Sequence, residues 1–365
     1  MPEEKNSSPR IKRRNYFNFF RTLFGLLVAG YVLWRLYTVL IVEQQYTSDI
    51  WIRLLIAGLI IGGVYSLVAI GYTLVYGILF MINFAHGEVM MLGMFAGYFV
   101  LEITKTIQVA PGLNFSNAHP AITVVLTFLV GMTVASTIGF FLEKIAYRPL
   151  RKAPRLIPLI SAIGASIFLQ NAAQLLFSPQ VRDYANPTVI SRGYGWPINV
   201  AGANITISYT GALTFTMSIL LMIGLFFLVR KTKLGKAMRA VALDKNTAAL
   251  MGIDVDAIIS RTFIISGALA GAAGVMWGFH NGITYFYVGF LPGIKAFTSA
   301  VMGGIGNIPG AMLGGMLLGL IESIAPTALG ISYQLKDVIA FAILIVILVF
   351  RPSGILGEVL SEEKV

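Results

Sequence analysis

Between residues 22 and 350 the chain is a succession of long apolar runs, each bounded by basic residues or by Pro/Gly punctuation. A helix crossing a bilayer needs about 20 mostly apolar residues, since the hydrocarbon offers no water to unpaired backbone groups. Cut at its polar breaks, the sequence yields ten candidates, near 22–42, 51–80, 86–103, 121–146, 157–177, 209–229, 260–281, 288–304, 307–326 and 336–350. With 57% hydrophobic and 12% charged residues in 365, polar side chains are too few to coat a soluble globule. The sequence predicts an all-α polytopic membrane protein, a helical bundle of eight to ten transmembrane segments. The segments 86–103, 288–304 and 307–326 are short or interrupted enough to be broken or re-entrant helices.

The formal charge of +11 does not point to nucleic acid, because the basic residues sit in short clusters between apolar runs rather than along one face. Arg10, Lys12, Arg13 and Arg14 form one cluster, Arg148, Arg151, Lys152 and Arg155 a second, and Arg230, Lys231, Lys233, Lys236 and Arg239 a third. The positive-inside rule places 1–21, 147–156, 230–259 and 351–365 in the cytoplasm, and ten crossings satisfy all four with both termini inside. Residues 1–21 read as a basic cytoplasmic tail, disordered through 15, and 22–42 as an uncleaved signal-anchor helix. A transmembrane domain over 51–358 and a cytoplasmic tail at 359–365 complete the division. The loops 104–120 and 178–208 fall outside, whereas 230–259 reads as one or two short cytoplasmic helices ending at Gly252.

Cys 0 excludes disulfides, thiolate metal sites and a cysteine nucleophile, and His 3 argues against a histidine-rich metal cluster. No phosphate-cradling Gly-x-x-x-x-Gly-Lys-Ser/Thr, no Gly-x-Ser-x-Gly and no His-Glu-x-x-His motif occurs, so the sequence predicts a chain that is no enzyme. Glycines at 267, 271, 274 and 278 lie on one helical face, as do smaller sets at 306, 310 and 314 and at 315 and 319, which predicts close helix packing. Ionisable residues within apolar segments are functional candidates by default. Glu102, Glu143 and Lys295 lie near span ends and read as reaching the interface, and His280 is less deep; His86, Glu88 and Glu322 have apolar sequence on both sides. The strongest local signal is Met81–Glu88, where Asn83, His86 and Glu88 cluster about a glycine; such a break either holds a zwitterionic solute or satisfies its own freed backbone. A second interruption, Gly303–Gly310, contains Asn307. The candidate substrate pathway is therefore Asn83, His86, Glu88, Asn307 and Glu322.

The stretches Gly71–Tyr76, Ile82–Glu88, Ala146–Pro149, Leu159–Asn171 (LISAIGASIFLQN), Leu234–Arg239 with Met251–Ile253, and Lys295–Gly315 resemble the LivH-type permease of branched-chain (neutral) amino acid importers in the ATP-binding-cassette superfamily. The resemblance runs from about 51 to 358; residues 1–50 and the loop 178–208 depart from it. It implies a permease subunit in the inner membrane, paired with a second, LivM-like permease, two cytoplasmic ATPases and an external solute-binding protein. ATP and Mg would be used by the ATPases, with no cofactor bound by this chain. It further implies only weak solute contacts within the membrane, with no deep amino acid pocket. The loop 230–259 suits ATPase coupling, through Gly235, Arg239, Ala242, Asp244, Ala248 and Gly252, with Ala242–Gly252 as the docking segment. Two other transport readings stay open, a urea or amide permease of the same family and a solitary ion-coupled carrier, and a non-transporting scaffold ranks last.

Overall fold

The computed structural model describes residues 9–43, 46–151, 153–154, 156–200 and 202–357. The expected tail 359–365, the first eight residues of the basic N-terminus, Lys152 and Arg155 lie outside them. In chain order the helices are α1 (Pro9–Tyr37), α2 (Ser48–Leu79), α3 (His86–Thr106), the short α4 (Phe115–Ala118), α5 (Pro120–Phe141), α6 (Leu156–Phe177), α7 (Tyr209–Lys231), α8 (Lys233–Leu243), α9 (Lys245–Leu250), α10 (Val255–Asn281), α11 (Phe290–Gly303), α12 (Ile308–Ala328) and α13 (Lys336–Phe350). A π-helical turn carries α1 on to Glu43, and another carries α5 to Tyr147. Strands are confined to three small antiparallel ribbons: β1 (Gln108–Ala110) with β2 (Leu113–Asn114), β3 (Arg182–Asp183) with β6 (Ile283–Thr284), and β4 (Gly195–Val200) with β5 (Ala203–Ser208). Because α1 begins at Pro9, the polar stretch 9–15, expected to be disordered, forms its first turns; adding residues to a helix nucleated downstream costs little.

Nine helices among the described residues are long and apolar enough to cross a bilayer. Contacts sort their ends into two groups. At one end Arg53 of α2 donates to Asn204 of β5 (2.8 Å), Arg192 to Asn281 at the close of α10 (3.1 Å), and Arg35 of α1 to Leu329 after α12 (2.9 Å). At the other, Tyr147 donates to Asn83 (2.6 Å), Arg151 pairs with Asp256 (2.5 Å), and Asn307 donates to Leu356 (2.8 Å). Successive traverses alternate only if the chain passes once more between α10 and α12. It does so in two parts, first non-helical, as the two-residue strand β6 and a turn through Gly289, and then helical through the 14 residues of α11. At 1.5 Å per residue α11 is about 21 Å long, too short for a hydrocarbon core of about 30 Å. Of the three segments read as short or interrupted, 288–304 is therefore the one without a full helix, whereas α3 and α12 are complete at 21 residues each. The even number of passes brings both described ends to one side.

The core is assembled by backbone proximity rather than by large side chains, as expected where lipid removes the hydrophobic drive between helices. Antiparallel α2 and α12 meet at Gly58 and Gly62, where an added Cβ would lie 2.8 Å from the Leu320 Cα and 2.9 Å from the Met316 Cα. The predicted glycine face of α10 has the same role: a Cβ on Gly267 would lie 2.6 Å from the Ala135 carbonyl of α5, and one on Gly93 of α3 would lie 2.5 Å from the Gly271 Cα. These contacts fix α3, α5, α10, α2 and α12 as the rigid centre, with α1 and α13 at the periphery.

Candidate functional site

Phe80 ends α2 in the left-handed region (φ 54°), a conformation costly for a bulky residue, and the chain then doubles back. His86 packs edge-on against Tyr72 (centroids 4.9 Å apart) in the space left by the missing side chain of Gly71. Eight residues of α2, about 12 Å, follow Gly71, so α3 starts well inside the bundle. The break is closed by local bonds. The Tyr147 hydroxyl donates to Asn83 Oδ1, the His86 amide to the Asn83 carbonyl (3.0 Å), and the Glu88 and Val89 amides to the Ala85 carbonyl (3.1 Å each).

Glu88 lies in the first turn of α3, where the helix dipole favours an anion. Its Oε1 accepts from Gln170 Nε2 (2.7 Å) and more weakly from Ser166 Oγ (3.4 Å), both on α6. Its Oε2 is buried without a partner. The start of α11 meets the start of α3 here: a Cβ on Gly87 would lie 2.5 Å from the Gly289 carbonyl. Two helices that begin inside the bundle thus frame an open-sided cleft of about 420 Å³, with Tyr72, Phe84, Glu88, Ile167, Gln170 and Phe290 on its walls. A second cavity of about 390 Å³, between Asn186 and Tyr209 in the loop joining α6 to α7, has no charged lining.

Of the five residues predicted for the pathway, Asn83, His86 and Glu88 come together at this break. Asn307 does not join them: it caps α12, accepting from the Gly310 amide (3.0 Å), and holds the C-terminal strand of chain through Leu356. The interruption at 303–310 is the tight turn joining α11 to α12, and the discontinuity facing Met81–Glu88 is 282–289 instead. Glu322 is buried as expected but belongs to a separate ionic cluster, paired with Lys295 (2.7 Å) and Lys336 (3.7 Å), while Lys295 also meets Asp337 (2.5 Å).

Lys295 and Glu143 do not reach the interface. Lys295 is 4% exposed, because the half-length α11 lies inside the bundle against α12 and α13. Glu143 is fully buried between Arg151 and Ser260 (2.6 Å) at the junction of α5 with α10. Glu102, by contrast, is half-buried beside Lys105 (3.1 Å) near the end of α3, as expected. The cleft residues not anticipated are Tyr72, Ser166, Gln170 and Phe290. Ser166 and Gln170, four apart on one face of an apolar helix, were a readable signal.

In the loop 230–259, α8 and α9 form a helical elbow. Gly235 packs against the Val229 carbonyl, which also accepts from Arg239, tying α8 to α7. Asp244 caps α9, accepting from the Asn246 amide (2.8 Å), the Thr247 amide (3.2 Å) and the Thr247 hydroxyl (2.6 Å). The Thr247 hydroxyl, followed by those amides, holds the Asp244 carboxyl below the usual aspartate range. Ala242 and Ala248 turn inward, and Gly252 closes the elbow at φ +80°. The residues that protrude are Leu243, Leu250 and Met251, between 75% and 88% exposed.

Helices that begin within the apolar thickness around a buried carboxylate define a polytopic membrane transport protein. The family described as "Branched-chain amino acid transport system / permease component" matches residues 54–348. The chain belongs to that family. It is 45% identical to the high-affinity branched-chain amino acid transport system permease protein BraD of Pseudomonas aeruginosa, over 84% of this chain and 96% of that protein. Against the LivH permease protein of the same description in Escherichia coli the identity is 41%, over 82% and 94%. A probable branched-chain amino acid transport permease protein LivM of Methanocaldococcus jannaschii is 23% identical over 81% and 91%. No solved structure matches.

Proposed function

We propose that this chain is the membrane-spanning subunit of an ATP-driven importer that carries branched-chain and other neutral amino acids across the bacterial inner membrane. The observation that carries the reading is the 45% identity to BraD along 84% of the chain. Its pathway runs past Asn83, His86 and Glu88. Rigid-body rocking of the bundle opens this region alternately to each side. The 23% likeness to LivM supports a related second permease as partner. The elbow of α8 and α9 is the docking element for the cytoplasmic ATPases, which hold ATP and Mg, and Leu243, Leu250 and Met251 are its contact residues. Basic residues at 230–239 favour the cytoplasm for this loop and for both ends of the chain. An external binding protein delivers the solute to the opposite side.

Uptake of labelled leucine, alanine and urea, with and without the chain and then with the ATPases inactivated, tests the reading. Loss of leucine uptake in both cases is expected. Inhibition by urea but not leucine identifies a urea or amide permease, and uptake that ignores the ATPases identifies a solitary carrier.

A further inference from the structure

Three carboxylates are buried among the described residues: Glu88 at 1% exposure, Glu143 at 0% and Glu322 at 2%. Glu143 has Arg151 and Glu322 has Lys295, as burial of a charge ordinarily requires. Glu88 has only an amide and a hydroxyl, both on Oε1, and Oε2 has nothing. Glu88 is nonetheless a cleft residue, and its carboxylate, held by Gln170 and desolvated, has no cationic donor among the described residues. The cleft also meets the positive end of a helix dipole, where the Phe290 amide donates to the Tyr287 carbonyl (3.2 Å). α11 opens at Gly289 with no side-chain cap and no acid in its first turn, and Gly289 and Phe290 are cleft residues. Ile163, Ile167 and Ile294 make the remaining wall apolar.

We propose that this cleft is a transit site for a zwitterionic aliphatic amino acid, whose ammonium group pairs with the Glu88 carboxylate as Oε2 turns into the cleft, whose own carboxylate turns toward the start of α11, and whose side chain lies on Ile163 and Ile167. The proposal rests on the permease reading and deepens it. The ammonium brings both the charge and the donors that Oε2 lacks. Gln170 positions the carboxylate by occupying Oε1. A solute with a second carboxylate is disfavoured, because its extra charge would face Glu88 or the isoleucines. A solute without the ammonium leaves Oε2 as unpaired as before.

The absence of native cysteine makes the cleft directly addressable. Ile167→Cys, on a wall residue 55% exposed, is labelled with a maleimide in vesicles holding the assembled importer, with the solute added directly. Leucine is expected to slow labelling, while 2-hydroxy-4-methylpentanoate, which has a hydroxyl in place of the ammonium, does not. Adding Glu88→Gln raises the leucine concentration needed for protection by at least ~10-fold, the loss expected when one member of a desolvated charge pair is removed. Co-purification with the ATPases checks assembly of that variant, and the solute comparison stands without it. Equal protection by the hydroxy acid, or full protection in E88Q, overturns the ammonium assignment. An importer that transports leucine yet shows no protection overturns the site and leaves the permease reading intact. If the importer, supplied with its binding protein and ATP, moves no leucine, the permease reading fails and the site with it.

Discussion

Gly319→Ala is the sharpest probe of how this bundle is held together. Gly319 lies on the face of α12 that meets α2, and an added Cβ would sit 2.5 Å from the Gly58 carbonyl and closer still to the Gly62 backbone. The three nearest atoms are all backbone, so no rotamer change relieves the overlap and the two helices must separate. Overpacking of this kind costs about 1–3 kcal/mol. Gly224 in α7 is the matched control, since it is helical and exposed with nothing within 4 Å of an added Cβ. Both substitutions bring the same gain in helix propensity, up to ~1 kcal/mol, so their difference isolates the packing cost. A difference of 1–3 kcal/mol is roughly a 5- to 150-fold change in the folded-to-unfolded ratio. Thermal loss of the monodisperse chromatographic peak of the solubilised chain measures it. G319A should lose the peak several degrees below wild type, and G224A at or above it. Equal midpoints for the two variants would refute helix apposition as the main source of cohesion.

Other predictions concern the charged elements. Lys295→Met leaves the Glu322 carboxylate only the distant Lys336 and takes the partner of Asp337, which should cost about 3–5 kcal/mol, whereas K295M/E322L removes both buried charges and should recover part of that loss in the same assay. A double variant as unstable as the single one would show that the pair is not a unit. Leu250→Glu places a charge on the exposed apolar tip of the elbow, and Gly252→Val forces a β-branched residue to φ +80°. Each should abolish ATPase co-purification while leaving the chain in the membrane, and retention of the ATPases by both would exclude the elbow as the dock. Because the Asp244 carboxyl is held below 3.8, its capping contribution is complete above that value and fades only as pH falls through the lower, folded pKa. ATPase association should accordingly be unchanged between pH 8 and pH 5, and a decline centred near pH 6 would point to another titrating group.

Much of the architecture was legible because bilayer crossing imposes its own length and polarity on sequence. The glycine face of α10 announced its packing through spacing alone, and Met81–Glu88 announced a break because amide, imidazole and carboxylate have no other reason to gather between apolar runs. Harder to read was everything that depends on which side of a helix faces protein. Lys295 reads as a span-end lysine until α11 is seen to start inside the bundle, and Glu143 until Arg151 folds back onto it. The segment 282–289 escaped notice for a related reason. Its sequence, Gly-Ile-Thr-Tyr-Phe-Tyr-Val-Gly, is as apolar as a helix, and only its pairing with β3 and its contact with Gly87 make it the non-helical part of a crossing. Asn307 illustrates the converse: an Asn ahead of Pro and Gly reads equally as a cap or as part of a pathway, and its bond to Gly310 decides for the cap.

The most direct test of the central claim is ATP-dependent uptake of labelled leucine into cells with this chain intact, with the chain deleted, and with its partner ATPases inactivated. Uptake that requires both the chain and the ATPases is the predicted result. Uptake that persists without the ATPases and collapses with a protonophore would contradict it and assign the pathway around Glu88 to an ion-coupled carrier.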